Sequence, residues 1–436
     1  MRILILNYFY PPVVDAHAYR WEQIARCWVA QGHQVDVVCG RLRGVPNPRV
    51  QAGVNVTRVG PVRRSTMLFT PPVGGGTDLR TRLTSAIVKA LRSAYRGLYW
   101  PDAWWHWWPS ALREVLKRSE AYDLVVSYSP CLGAHLVAAA LKQRARSSGL
   151  VWIADYGDPF STSSTMRPNN FAVYRGLNGV AERHIASRAN AVVFTNYGTA
   201  ADYQAAGICA PDAVRVIPHL VDVPRLHAGN LHERDSNAGP GNPRDTQLLY
   251  IGGFHRGIRE PDLLFEVMRR LNRQESRQYI LTIYGPSNGF DLSPEDCPQV
   301  RYKGMIERDK ALELIREADV LVNVDNMNCV MVPSKIVEYI ATGRPMLNLK
   351  SGGVEHPAVG RYAQCGFAME VSRDDLVSDP GNAAAVAQFL ARTAGRVAPR
   401  QTVESVLDGC SLTSVAAQYM ALAFEARGKL RGRIAP

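Results

Sequence analysis

The sequence lacks any run of about 18 or more uncharged apolar residues, so no membrane-spanning helix is expected. It lacks a Cys-x-x-Cys pair: the eight cysteines, among them Cys27, Cys39, Cys131 and Cys329, sit singly on apolar segments. That spacing excludes a zinc knuckle or a disulfide scaffold and implies reduced thiols in a cytoplasmic protein. The opening MRILILNYFYPP has no small-residue cleavage site and ends its short apolar run in Pro-Pro, which suits a first strand better than a signal peptide. A basic run long enough for a nucleic-acid arm is missing, as is a zinc finger, so nucleic acid is not an expected partner. The 436 residues do hold 46% hydrophobic side chains, enough for two packed domains. They also carry a formal charge of +12, which suits phosphorylated small molecules or an anionic lipid surface.

Short apolar runs alternate with helical patterns. In the first half these runs are Arg2 to Asn7, Gln34 to Gly40, Asp123 to Ser129, Gly149 to Asp155 and Ala191 to Asn196, with helices such as Tyr19 to Gln31 and Ala134 to Ala145 between them. Runs apolar on both faces are the mark of parallel strands covered by helices. A polar stretch rich in Gly, Asn and Pro, His227 to Thr246, reads as a linker. A second series follows: Leu248 to Gly253, Tyr279 to Gly285, Val300 to Gly304, Ala318 to Asp325 and Pro345 to Lys350. The expected fold is α/β, two tandem doubly wound Rossmann-like domains with a cleft between them. The boundaries expected are 1–222 and 223–410, with a last helix, 411–436, packing back on the first domain.

Ligands of such sheets bind at the carboxyl ends of the strands. Beyond one such end lies VPSKIVEYIATGRP, from Val332 to Pro345. Pro333 suits the first turn of a helix and Gly343 its end. Ser334 and Lys335 bring a hydroxyl and a cation to that helix start, where an anion is favoured. Glu338 lies one turn on and can accept two hydrogen bonds from a ribose. Gly252 and Gly253 follow another strand and let the backbone approach a diphosphate, with Arg259 (and less so Arg256) as its cation. Tyr284 and Met305 follow two further strands, where a base would rest. Asp155 and Asp158 stand at a strand end in the first half. Either fits a proton acceptor, a binder of sugar hydroxyls, or an aspartate that shapes a turn. Tyr10, Asp15, His17 and Arg20 follow the first strand and are weaker candidates for acceptor contacts.

Between Leu79 and Trp108, apolar residues recur at helical spacing among Arg80, Arg82, Lys89, Arg92 and Arg96, followed by Trp100, Trp104, Trp105, Trp107 and Trp108. A basic amphipathic helix with adjacent tryptophans suits a bilayer surface. Packing of the same residues inside their own domain is the other reading. Before them Pro71 to Thr77 is glycine-rich.

The Lys-x-x-Glu-Tyr helix followed by Gly-Arg-Pro resembles the donor domain of GT-B glycosyltransferases, above all the bacterial family 4 group that builds surface polysaccharides. NYFYPP, WIADYGDPF (Trp152 to Phe160), VIPHLVD (Val216 to Asp222) and YIGGFHRGIREPDLL (Tyr250 to Leu264) resemble that group in order and spacing. The resemblance implies transfer of a sugar from a nucleotide sugar to a glycan or lipid-linked acceptor, by a peripheral protein on the inner face of the plasma membrane. It implies Arg259 and Lys335 as the groups that neutralise the leaving diphosphate, with no metal or other cofactor required. One position departs from the pattern. Where many members carry the first of two glutamates, this chain has Val330, so contacts to the donor sugar differ and the stereochemical course stays open. Two other readings remain: an epimerase or hydrolase of nucleotide sugars, and a non-catalytic membrane or partner-binding protein of a polysaccharide-assembly complex.

Overall fold

The computed structural model describes residues 1–47, 49–63, 97–118, 122–145, 149–230, 245–273, 278–352, 354–378 and 381–432. Most of the basic amphipathic stretch (residues 79–96), the glycine-rich segment 71–77 and most of the linker (231–244) lie outside them. The chain divides into two compact units, Met1–Pro218 with Leu412–Pro436, and His219–Ser411. The division falls at Pro218, a few residues before the boundary expected at 222.

The first unit is built on eight strands: β1 Arg2–Leu6, β2 Gln34–Leu42, β3 Arg49–Gln51, β4 Val54–Arg63, β5 Leu124–Ser129, β6 Val151–Tyr156, β7 Ala191–Phe194 and β8 Val214–Val216. Their order in the sheet is β3-β4-β2-β1-β5-β6-β7-β8, parallel except where β3 pairs β4. Strands β5 and β6 are buried along their whole length, as their unbroken apolar runs require. Helix α1 (Ala16–Ala30) follows β1, α2 (Leu132–Arg144) follows β5, and α3 (Phe171–Ala186) follows β6. The final helix, Leu412–Gly432, packs on α1: Trp28 Nε1 donates to the Ala416 carbonyl at 3.2 Å and the Trp21 and Tyr419 rings lie 5.2 Å apart.

The tryptophan cluster is interior to this unit. Trp107 is fully buried, and Trp100, Trp104 and Trp108 pack against the same core, while Trp105 is partly exposed. Asp102 fixes the segment by accepting from the backbone N–H groups of Trp104 and Leu132. These four tryptophans therefore do not form a bilayer-facing belt; their apolar area is spent on the core.

The second unit has six parallel strands: β9 Thr246–Ile251, β10 Tyr279–Tyr284, β11 Val300–Tyr302, β12 Val320–Val324, β13 Met346–Lys350 and β14 Ala368–Ser372. The order β11-β10-β9-β12-β13-β14 reverses direction between β9 and β12. That reversal opens a crevice at the carboxyl ends of β9 and β12, the ligand position of doubly wound sheets. No helix among the described residues is long and apolar enough to cross a membrane.

Candidate donor and acceptor sites

The carboxyl end of β9 is where the second unit concentrates charge. Helix α4, Lys335–Ala341, is shorter than the Pro333-to-Thr342 span its sequence suggests, and the Ser334 hydroxyl makes no capping bond. Tyr339 pins this helix to the strand: its hydroxyl donates to the Ile251 carbonyl at 3.2 Å and accepts from the Ile251 N–H at 3.0 Å. Lys335 Nζ lies 3.8 Å above the Tyr250 ring and donates to the Ile251 carbonyl at 3.3 Å. Burial holds the Lys335 amine well below its ordinary pKa, the nearby Arg259 lowers it further, and Asp325 opposes them. Gly252 leaves the room for this arrangement, because a Cβ there would sit 2.7 Å from Lys335 Nζ.

Arg259 reaches the same loop. Its Nη1 donates to the Gly253 carbonyl at 3.4 Å and its Nη2 to Asn326 Oδ1 at 2.6 Å, while its buried Nε has no partner. Asn326 is itself fixed by donating to the Met331 carbonyl. Among the described residues neither Lys335 nor Arg259 forms an ion pair with a carboxylate. Asp325, which acts on both electrostatically, is occupied by Asn323 and Asn348 at 2.8 and 3.1 Å, and burial raises its pKa to about 6. An arginine and a buried lysine converging on a glycine turn, without a carboxylate partner among the described residues, suit an anion, whose charge would return the lysine's proton. Arg256 is placed elsewhere, over the Phe290 ring.

The adjoining strand ends are tied into one floor. Gly252 N–H donates to the Tyr284 carbonyl, Gly285 N–H to the Gly304 carbonyl, and the Tyr302 hydroxyl to the Gly285 carbonyl at 2.9 Å. Gly285 has φ +129°, and a Cβ on it would lie 2.4 Å from the Gly252 carbonyl oxygen, so only glycine closes this floor. Tyr284 is half-buried beside it and Met305 is exposed just beyond β11. Glu338, expected as a free ribose acceptor, is engaged: Arg308 binds both its oxygens as a bidentate pair, with Nη1 at 3.0 Å from Oε2. Arg308 lies 30 residues away in sequence, and no local pattern announces it. Next to this region Glu260, Met327, Lys350, Ser372 and Arg373 line a cavity of about 390 Å³.

In the first unit the structure separates the two aspartates. Asp155 belongs to β6 and is fully buried; it accepts a 2.5 Å hydrogen bond from the Tyr419 hydroxyl, and its other oxygen has no partner. Burial raises its pKa to about 6, against the opposing pull of Arg20 and Tyr419. A carboxylate closed off in this way holds the final helix and does not reach a substrate hydroxyl. Arg20 serves the same junction, donating to the Tyr419 hydroxyl and to the Ile217 and Pro218 carbonyls. Tyr10, expected at the acceptor, is buried in the core, and Asp15 is the N-cap of α1, accepting from the N–H groups of His17 and Ala18.

Asp158 and His17 are brought together. His17 Nε2 lies 3.3 Å from Asp158 Oδ2, with side-chain exposures of 19% and 32%. The other ring nitrogen, Nδ1, is 2.7 Å from the Tyr128 hydroxyl. Burial works against the imidazolium, yet Asp15 and Asp158 outweigh it and push His17 up to about 9. At neutral pH the pair is therefore an imidazolium beside a carboxylate. Gly157 makes the contact feasible, since a Cβ there would lie 2.0 Å from the Tyr128 hydroxyl. Ser129 Oγ donates to the Asp158 carbonyl at 3.1 Å and fixes the loop. Tyr128 was not singled out from sequence, although it lies near the end of β5, in register with Asp155.

A family model described as a glycosyl transferase 4-like domain matches residues 16–219. No curated protein matches the sequence significantly. Among solved structures, a sucrose-phosphate synthase from Thermosynechococcus elongatus is similar at 17% identity and TM-score 0.60, covering 97% of this chain and 98% of its own. HepE from Anabaena, solved with UDP-glucose, is similar at 15% identity and TM-score 0.55, covering 96% of this chain and 98% of its own. WaaG, a glycosyltransferase involved in lipopolysaccharide biosynthesis, is similar at 15% identity and TM-score 0.55 over the same shares. Together with the two Rossmann-like units, these findings show a protein with the GT-B fold, whose residues 16–219 match a glycosyl transferase 4-like domain.

Proposed function

We propose that the protein is a glycosyltransferase that moves a sugar from a nucleoside diphosphate to an acceptor hydroxyl. The observation that carries this reading is the convergence of Lys335 and Arg259 on the Gly252–Gly253 turn without a carboxylate partner. When the bond from the anomeric carbon to the diphosphate oxygen breaks, its electron pair stays on the diphosphate. Arg259, with Lys335 protonated against the bound diphosphate, lowers the barrier because both groups are already in place at that oxygen as charge develops. They supply the charge a metal ion would otherwise bring, so activity should survive a chelator. Tyr284, Met305 and the Gly285 floor would take the base. Glu338, oriented by Arg308 and with lone pairs left over, would accept from the ribose hydroxyls. HepE, of the same fold, is solved with UDP-glucose, which supports a nucleotide sugar as donor.

The acceptor hydroxyl attacks the anomeric carbon, and its proton must leave. Of Asp155 and Asp158 only Asp158 is accessible, and His17 holds it by charge, so Asp158 takes that proton in this account. The acceptor class we favour is a growing or lipid-linked saccharide at the inner membrane face. The net charge of +12 supports this, as does the involvement of WaaG in lipopolysaccharide biosynthesis.

The test is release of nucleoside diphosphate from a panel of nucleotide sugars, with and without lipid-linked saccharide acceptors. Acceptor-dependent release that falls at least about a hundredfold in Arg259→Gln supports the reading. Release without acceptor would make the protein a hydrolase, and no release from any donor would favour the non-catalytic alternative.

A further inference from the structure

Helix α3 packs on the core through Ala181, Ile185 and Ala186, yet it also turns polar groups inward and apolar ones outward. Two of its buried residues are polar: Asn178 accepts from Trp100 Nε1 and exchanges hydrogen bonds with Asn169, and Glu182 accepts from the Ser161 N–H and the Tyr203 hydroxyl. Both are fully buried. Its outward side shows Val173, Leu177 and Val180, which are 63%, 46% and 56% exposed. Spacings of four and three residues place them on one stripe. The stripe continues through His184 to Arg188, both exposed, and Arg175 and Arg183 are exposed as well. Leu98, 76% exposed, is held beside the helix by the Tyr174 hydroxyl, which donates to its carbonyl. The one acid of α3, Glu182, faces inward, so every exposed charged side chain on the helix is basic.

We propose that this face of α3 is a docking surface for an anionic lipid bilayer, with Val173, Leu177 and Val180 entering the interface and Arg183 and Arg188 meeting the headgroups. An apolar stripe whose exposed charged neighbours on the helix are all basic is the pattern of an interfacial helix. Charge complementarity selects the bilayer over a second copy of the chain, because a self-contact through this face would set arginine against arginine. The tryptophans offer less to such a contact, since Trp107 is buried and Trp100, Trp104 and Trp108 pack against the core. The surface needs no nucleotide, so its test is independent of the donor site.

The experiment is co-sedimentation of the full chain with vesicles of phosphatidylcholine alone or mixed with phosphatidylglycerol, at low and high salt. Wild type should bind the anionic vesicles and lose much of that binding at high salt. Val173→Ser/Leu177→Ser/Val180→Ser should weaken the partition at least about tenfold. Arg183→Gln/Arg188→Gln should remove the preference for anionic lipid. Leu177→Trp keeps an apolar side chain, and it should gain fluorescence quenching by brominated lipid relative to wild type. Absence of wild-type binding, or equal binding by the triple variant, overturns the proposal. So would a wild-type dimer in solution that the triple variant splits without any change in vesicle binding.

Discussion

Replacing Tyr419 by phenylalanine removes one oxygen from the junction between β6 and the final helix, and the structure predicts how the loss depends on pH. That oxygen donates to buried Asp155 and accepts from Arg20. Asp155 has its folded pKa raised from 3.8 to about 6, with burial as the main cause. A raised acid binds its proton more tightly in the folded state. It therefore favours folding below 3.8, and that contribution is lost as pH rises through about 6. The penalty for holding the ionised group is on the order of 3 kcal/mol, at about 1.36 kcal/mol per unit. Removing the hydroxyl donor deepens it. Above pH 6 the variant keeps a buried carboxylate without its donor, a loss of about 2–3 kcal/mol. Near pH 5 the carboxyl is largely protonated and the loss falls to about 1 kcal/mol. Each kcal/mol lowers Tm by about 2–4 °C for a unit of this size. Thermal unfolding of wild type, Tyr419→Phe and Asp155→Asn at both pH values reads this directly. A Tyr419→Phe penalty that is the same at the two pH values would refute the reasoning, as would Asp155→Asn that keeps the wild-type slope.

Three further outcomes follow from named contacts. His17, pushed up from 6.5 to about 9, contributes stability that is whole below 6.5 and is lost as pH rises through about 9. His17→Gln should remove that loss, on the order of 2 kcal/mol after allowing for the partly exposed Asp158, in urea titrations across this window. Gly285→Ala meets both a left-handed φ and the Gly252 carbonyl, and should lower stability by about 2 kcal/mol or more while abolishing nucleotide binding, read by calorimetry. Lys335, held well below its ordinary pKa by burial and Arg259, should regain its proton against a diphosphate. Calorimetry in buffers of differing ionisation enthalpy should then show proton uptake on binding, and Lys335→Met should abolish it.

The parallel sheets were readable because their strands are apolar on both faces, from Leu124 to Ser129 and again from Val320 to Val324. Lys335 and Arg259, which the structure brings to one turn, could be picked out because each follows a strand end beside a glycine or a proline. Sequence could not tell Asp155 from Asp158, three residues apart, because the turn at Gly157 points one inward and the other toward His17. Arg308 on Glu338 and Tyr128 on His17 depend on pairings across 30 and 111 residues, which periodicity does not encode. The tryptophans of 100–108 showed their composition but not their direction. Helix α3 was hidden for the opposite reason: hydrophobicity alone would have turned Val173 and Leu177 inward.

The central claim is that Lys335 and Arg259 hold a nucleoside diphosphate, and calorimetric titration of a nucleoside diphosphate panel into wild type, Lys335→Met and Arg259→Gln tests it most directly. One nucleotide should bind wild type and raise its unfolding free energy by about 2.7 kcal/mol at a hundred times its Kd, with neither variant responding. Equal binding by wild type and both variants, or no binding of any nucleotide to wild type, would contradict the account.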